Sequence, residues 1–131
     1  MAGLLSAACD PPPPVKAASG ERISGIAYEE RFPLSNEAKE VALHGDRLRQ
    51  AVELMEKQGI IAMSGTYEAP GVLDKSTLVL TVTTADKHER TLSMKNCAEP
   101  KVCAFFTEAV KAGVAEKLPL VCRGAVACVK R

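Results

Sequence analysis

The stretch that decides the fold is residues 77–94, with the sequence TLVLTVTTADKHERTLSM. On both sides of its polar loop, residues 85–88, large apolar side chains alternate with threonine and serine. An alternation with a period of two residues is typical of strands that bury one face. Two such strands joined by a short polar loop predict an antiparallel hairpin with one face exposed to solvent.

Helices are predicted on either side of this hairpin. The first is expected to run from the N-cap Ser35 to Gln58, where Gly59 stands in the usual position of a C-terminal glycine. The second is expected to begin at Pro100, which suits a first helical turn, and to stop before Pro119. Apolar residues recur at spacings of three and four in both segments, as in helices with one buried face.

Further strands are expected over residues 22–28, 61–68 and 120–130. A glycine at position 45 interrupts the first helical pattern, so that this helix can restart at Asp46. The order of elements predicts an α+β fold, in the form of a two-layer sandwich. Its mostly antiparallel sheet would have four to five strands, with two helices on one face.

The length and charge of the chain limit its organisation and its partners. With 131 residues it has the length of one domain, which we expect over residues 21–131. Seventeen basic and sixteen acidic side chains leave a net charge of +1, which argues against a nucleic-acid partner, since such proteins need a basic face. No apolar stretch approaches the roughly 18–20 residues of a membrane-spanning helix. A monomer is expected.

The N-terminal segment is expected to be a targeting signal rather than part of the folded domain. Its residues Leu5-Ser6-Ala7-Ala8-Cys9 place small side chains before a cysteine. This resembles the end of a bacterial lipoprotein signal peptide, in which the cysteine is lipidated and becomes the new N-terminus. The resemblance implies that residues 1–9 are the remnant of a signal peptide and that Cys9 is the lipidation site. It also implies a periplasmic or envelope location with the membrane as partner.

Residues 10–20 follow with four consecutive prolines and then small or polar residues. Because proline runs favour extended polyproline II, we expect a disordered linker that spaces the domain from the membrane. An unstructured apolar tail in a cytoplasmic protein stays open as the other interpretation of the N-terminus.

Four further cysteines, Cys97, Cys103, Cys122 and Cys128, form two pairs with five residues between the members of each pair. In an exported protein they predict two disulfides. Local pairing within each spacing is favoured, because a proline and a glycine there can reverse the chain. Zinc ligands usually lie two to four residues apart, so no metal is expected. Free thiols in a cytosolic regulatory domain stay open as an alternative.

The sequence contains none of the common nucleophile, phosphate-binding, zinc-protease or dinucleotide motifs. His44, near Asp46, and His88, near Asp86 and Glu89, are the candidates for a general base or a metal ligand. We expect no cofactor.

Overall the chain resembles the conserved hypothetical lipoproteins of Gram-negative bacteria, defined by their anchor rather than by a shared activity. The resemblance implies a non-enzymatic domain that binds a protein or a ligand, with an inhibitor, immunity or assembly role, or one that is a surface-accessible antigen. A small enzyme that uses His44 or His88 with the neighbouring carboxylates is the alternative.

Overall fold

The computed structural model describes residues 14–31, 38–68, 77–95 and 98–122. These residues form six strands, two helices and one 3-10 turn, which confirms the α+β class. One strand more is present than the four to five that the sequence predicts. The elements are β1 (Val15–Lys16), β2 (Arg22–Arg31), β3 (Ala38–Leu43), α1 (Gly45–Gln58), β4 (Gly65–Glu68), β5 (Thr77–Thr84), β6 (Glu89–Lys95), α2 (Pro100–Lys111) and the 3-10 turn (Leu120–Cys122).

The six strands form one mixed sheet in the order β1-β2-β5-β6-β4, with β3 also paired to β2. The predicted hairpin is confirmed: β5 and β6 are antiparallel, with Leu80 opposite Leu92 and Leu78 opposite Met94. These four side chains are buried. Strand β4 pairs with β6 in parallel, whereas the other pairs are antiparallel.

The first half of the predicted first helix is wrong. Residues 38–43 form strand β3, which pairs with β2, and α1 begins only at Gly45. Pairing places Val41 opposite Tyr28 and buries Leu43, whereas the buried stripe of α1 lies entirely after Gly45. The expected N-cap, Ser35, lies outside the described residues. The C-terminal prediction is confirmed, because Gly59 caps α1 with a positive φ of 75°.

Helix α2 begins at Pro100, as predicted, and the side chain of Glu99 caps it by accepting a hydrogen bond from the backbone N–H of Lys101 at 3.3 Å. Phe105 and Phe106 are both buried in the core. The Phe106 ring contacts the ring of Tyr28 edge-on, with centroids 5.0 Å apart, so α2 packs on strand β2. Helices α1 and α2 also contact each other.

The linker predicted over residues 10–20 belongs in part to the folded domain. Val15 and Lys16 pair with Ile23 and Arg22, and Ala17 is buried. This short segment is held in the domain by its pairing with β2. The neighbouring run of prolines does not indicate that pairing. Residues 10–13 lie outside the described part of the chain.

One predicted strand is shorter than expected, and another is a different kind of element. The segment 61–68 is extended only from Gly65 to Glu68, since the chain turns after α1 with Ile60 buried. Residues 120–122 form a 3-10 turn rather than a strand, and residues 123–131 lie outside the described residues. Among the residues that the structure describes, neither helix has the length and apolar character needed to cross a membrane.

Candidate functional site

The structure joins Cys103 and Cys122 by a disulfide, with Cα atoms 5.4 Å apart. The predicted local pairing within each spacing is therefore wrong. Cys103 lies on the buried face of α2, and the chain returns to that face in the 3-10 turn that carries Cys122. Cys9, Cys97 and Cys128 lie outside the described residues. No cluster of three or more metal-ligating side chains occurs within the described ranges.

His44, the first candidate base, is the exposed N-cap residue of α1. Its backbone is extended, and its side chain makes no capping hydrogen bond. The neighbouring carboxylate, Asp46, lies 3.9 Å from the guanidinium of Arg49, one turn further along the helix. The structure thus pairs Asp46 with an arginine rather than with His44.

His88, the second candidate, lies in the loop between β5 and β6. Its Nδ1 atom is 2.9 Å from one carboxylate oxygen of Asp86, whose other oxygen accepts a hydrogen bond from the hydroxyl of Thr84. The Thr84 hydrogen bond, and then the one with His88, lower the pKa of Asp86 to about 2. A histidine can act as a general base when a carboxylate orients its imidazole ring. However, the His88 side chain is 83% exposed, so the pair is not enclosed in a site.

The hollow beside this loop has a volume of about 540 Å³ and also contains Arg90 and Glu21. Arg90 donates two hydrogen bonds to the Glu21 carboxylate and two to the backbone carbonyl of Ile61. The guanidinium is therefore occupied by hydrogen bonds within the protein. The one hydroxyl side chain among the described residues that line the hollow belongs to Thr84, which is bound to Asp86.

A second cavity, of about 220 Å³, lies where the sheet meets the start of α1 and the segment after α2; we call it the Tyr28 cleft. Its lining residues are Tyr28, Glu30, Val41, Arg47, Val114, Glu116 and Lys117. The apolar part comes from the tyrosine ring and the two valines. The remaining four side chains are two acids and two bases.

Tyr28 is only 8% exposed, and charged side chains line the cleft together with it. Burial raises the pKa of Tyr28, and the charges of Glu116 and Glu30 raise it further, while Arg47 lowers it. Within the part of the chain that is described, the hydroxyl makes no hydrogen bond. Buried hydroxyls are almost always hydrogen-bonded, so this group is available to a bound molecule or to water.

The sequence does not reveal the Tyr28 cleft, because its residues come from β2, β3, α1 and the segment after α2. A tyrosine in a strand is an ordinary β-forming residue, and nothing local marks it as part of a site. By contrast, the sequence places His88 beside Asp86, and that contact is observed.

No family model, no curated protein and no solved structure matches this chain. Only the residues of the chain itself therefore bear on its function.

Proposed function

We propose that this protein is an exported lipoprotein of the bacterial envelope, tethered through Cys9, whose α+β domain acts by binding a ligand or a protein. The observation that carries the proposal is the disulfide between Cys103 and Cys122. Disulfides form and persist in oxidising compartments such as the periplasm, and they are rare in the cytosol. The lipobox-like residues that end at Cys9 supply the anchor in this proposal.

The position of β1 sets how far the domain can lie from the membrane. The first residue of β1, Val15, pairs with Ile23 and stands six residues after Cys9. A chain spans at most about 3.3–3.6 Å per residue, so the domain would be held within about 22 Å of the anchor. This connecting segment is shorter than the linker over residues 10–20 that the sequence predicts. A short connection favours a partner at or near the membrane surface.

Binding is favoured over catalysis by the Tyr28 cleft. It combines an apolar floor with a few polar groups that converge on it, which is the usual composition of a ligand site. The contact between His88 and Asp86 is the observation that favours the second candidate, a small enzyme.

The test of export uses protein recovered from its native host under conditions that trap free thiols. We expect Cys103 and Cys122 to resist alkylation until a reductant is added, and a peptide that links them to appear in the unreduced digest. The protein should also fractionate with membranes, with an acyl group on Cys9. The matched variant Cys9→Ser should leave the disulfide intact and move the protein out of the membrane fraction. Free thiols at positions 103 and 122 together with an unmodified Cys9 would overturn the proposal and support the cytoplasmic alternative.

The enzyme alternative is tested with an activated ester, p-nitrophenyl acetate, that reports nucleophilic or general-base imidazoles. We expect a rate no higher than that of free imidazole at the concentration of histidine side chains, and an equal, small loss of rate in His88→Ala and in the matched control His44→Ala. A large excess rate that only His88→Ala abolishes would favour the enzyme.

A further inference from the structure

We infer that the Tyr28 cleft binds a small zwitterion of the size of a free aliphatic α-amino acid. Its ammonium would lie at the Tyr28 hydroxyl and the Glu116 carboxylate, and its carboxylate at Arg47 and Lys117. The inference rests on the binding role proposed above and names the chemical class of the ligand.

The size of the cleft selects a small molecule. Its volume is about 220 Å³, below the roughly 300–1,000 Å³ of pockets that take drug-sized ligands. At about 30 Å³ per water molecule, the space corresponds to about seven waters. A free amino acid fits this space, whereas a nucleotide or a peptide of several residues does not.

The floor of the cleft selects an aliphatic body. Val41 comes from β3, where it lies opposite Tyr28 of β2, and Val114 comes from the segment after α2. The Tyr28 ring is held by its edge-on contact with Phe106, at 5.0 Å between centroids. The apolar surface is therefore preorganised, and only an apolar group can cover it without losing hydrogen bonds to water.

The charged side chains at the rim of the cleft favour a ligand that carries both a positive and a negative group. Glu116 and Lys117 are adjacent and exposed, and Arg47 stands in the first turns of α1. Glu30 also lines the cleft but takes part in another interaction, so the ammonium is assigned to Glu116. A simple cation would leave Arg47 and Lys117 unmatched, and a simple anion would leave Glu116 unmatched. A zwitterion matches both, and electrostatic matching of this kind determines specificity.

The Tyr28 hydroxyl is the polar group that marks the position of the ligand. Tyr28 is buried, its hydroxyl has no hydrogen bond within the described residues, and the residue lines the cleft together with Glu116. A hydroxyl oxygen accepts a hydrogen bond from an ammonium group, and bonds to charged groups are about twice as strong as neutral ones.

The experiment is an NMR titration of the purified, oxidised protein with three probes that share one apolar body. They are L-leucine, 3-methylbutylamine, which lacks the carboxylate, and 4-methylpentanoate, which lacks the ammonium. We expect L-leucine to shift the amide signals of residues that line the cleft. We expect it to bind about tenfold or more tightly than either of the other two, since a charge-assisted hydrogen bond is lost with each deletion.

Variants locate the binding. Tyr28→Phe keeps the ring and its contact with Phe106 and should weaken L-leucine binding about tenfold. Tyr67→Phe removes the hydroxyl of the other tyrosine, on β4, and should leave affinity unchanged. Glu116→Gln should weaken binding of L-leucine and of the amine but not of the carboxylate. If Tyr28→Phe fails to fold, Glu116→Gln and the comparison of the three probes carry the test.

Equal affinity for the three probes would show only adventitious apolar binding and would overturn the inference. Unchanged affinity in Tyr28→Phe would mean that water satisfies the hydroxyl, and the absence of any shift with L-leucine would also overturn it. None of these results changes the state of the disulfide or of Cys9. A failure here is therefore distinguishable from a failure of the export proposal.

Discussion

Arg90 and Glu21 are joined by two hydrogen bonds, of 2.8 Å from Nη2 to Oε1 and 3.1 Å from Nη1 to Oε2. The same guanidinium donates from Nε and Nη2 to the backbone oxygen of Ile61, at 3.0 and 2.7 Å. One side chain of β6 thus connects the turn before β2 with the turn after α1. Because the planar guanidinium matches the fork of a carboxylate, lysine cannot reproduce this geometry.

We expect Arg90→Lys to destabilise the protein by about 1–3 kcal/mol, since the carbonyl of Ile61 and the Glu21 carboxylate lose bonds that the ammonium cannot replace. The measurement is the free energy of unfolding from urea denaturation. Arg49→Lys is the matched control, because Arg49 pairs with Glu53 at 3.3 Å along α1 with half of its side chain exposed. Such exposed pairs contribute about 0.5 kcal/mol or less. An equal cost for the two substitutions would contradict the assigned role of Arg90.

The disulfide should contribute strongly to stability. It closes a loop over a sequence separation of 19 residues between Cys103 and Cys122. The loop-entropy relation then gives about 3 kcal/mol, and Cys122→Ala should lose about that amount in urea denaturation. The double variant Cys103→Ala/Cys122→Ala should lose little more, since both substitutions remove the same bond. A wild-type protein whose stability is the same with and without a reductant would contradict this prediction.

Local patterns predict the elements whose signals lie within one segment. The hairpin of β5 and β6 and the start of α2 at Pro100 follow from alternation and capping, which are properties of neighbouring residues. Strand β3 does not, because its alanine, lysine and glutamate are good helix formers. Its conformation depends on pairing with β2, where Val41 lies opposite Tyr28. Tertiary pairing overrides intrinsic preference there.

The same distinction holds for the candidate sites. The contact of His88 with Asp86 could be predicted because only Lys87 stands between them in one loop. The partner of Cys103 could not be, since loop entropy barely separates the possible pairings and the packing of the 3-10 turn on α2 decides. The Tyr28 cleft needed the three-dimensional arrangement of four separate segments.

Acid sensitivity at the hairpin loop is expected to arise from Asp86. The Thr84 hydroxyl and then His88 stabilise its carboxylate and lower its pKa from 3.8 to about 2. A carboxylate with a lowered folded-state pKa adds stability above its ordinary pKa, and this contribution is lost as the pH falls towards the folded-state value. Stability should therefore decrease as the pH falls from about 4 to about 2, and Asp86→Asn should flatten that part of the profile.

Carboxyl-carbon NMR titration measures the pKa of Asp86 directly. Thr84→Val keeps the volume of the buried threonine, removes the largest cause of the lowered pKa of Asp86 and should raise this pKa. The pKa of Glu21 and that of Glu108 are also lowered, by hydrogen bonds from Arg90 and from Lys57. These two carboxylates also make the free energy of unfolding decrease as the pH falls, and Asp86→Asn should leave their contribution unchanged. Titration of Asp86 at its ordinary value in the wild-type protein would refute the prediction.

Lys87 occupies a conformation that suits glycine. Its φ is +69°, and it is the one non-glycine residue with a positive φ among those the structure describes. Its backbone N–H donates to the carbonyl of Thr84 at 2.9 Å, so the loop between β5 and β6 holds it there. A side chain in this region costs about 1–2 kcal/mol, whereas the greater freedom of glycine in the unfolded chain costs about 0.5–1 kcal/mol. Lys87→Gly should therefore raise the free energy of unfolding by about 0.5–1 kcal/mol, while the matched loop substitution Ala85→Gly should lower it by a similar amount. A loss of stability in Lys87→Gly as large as that in Ala85→Gly would show that the backbone at position 87 is not strained.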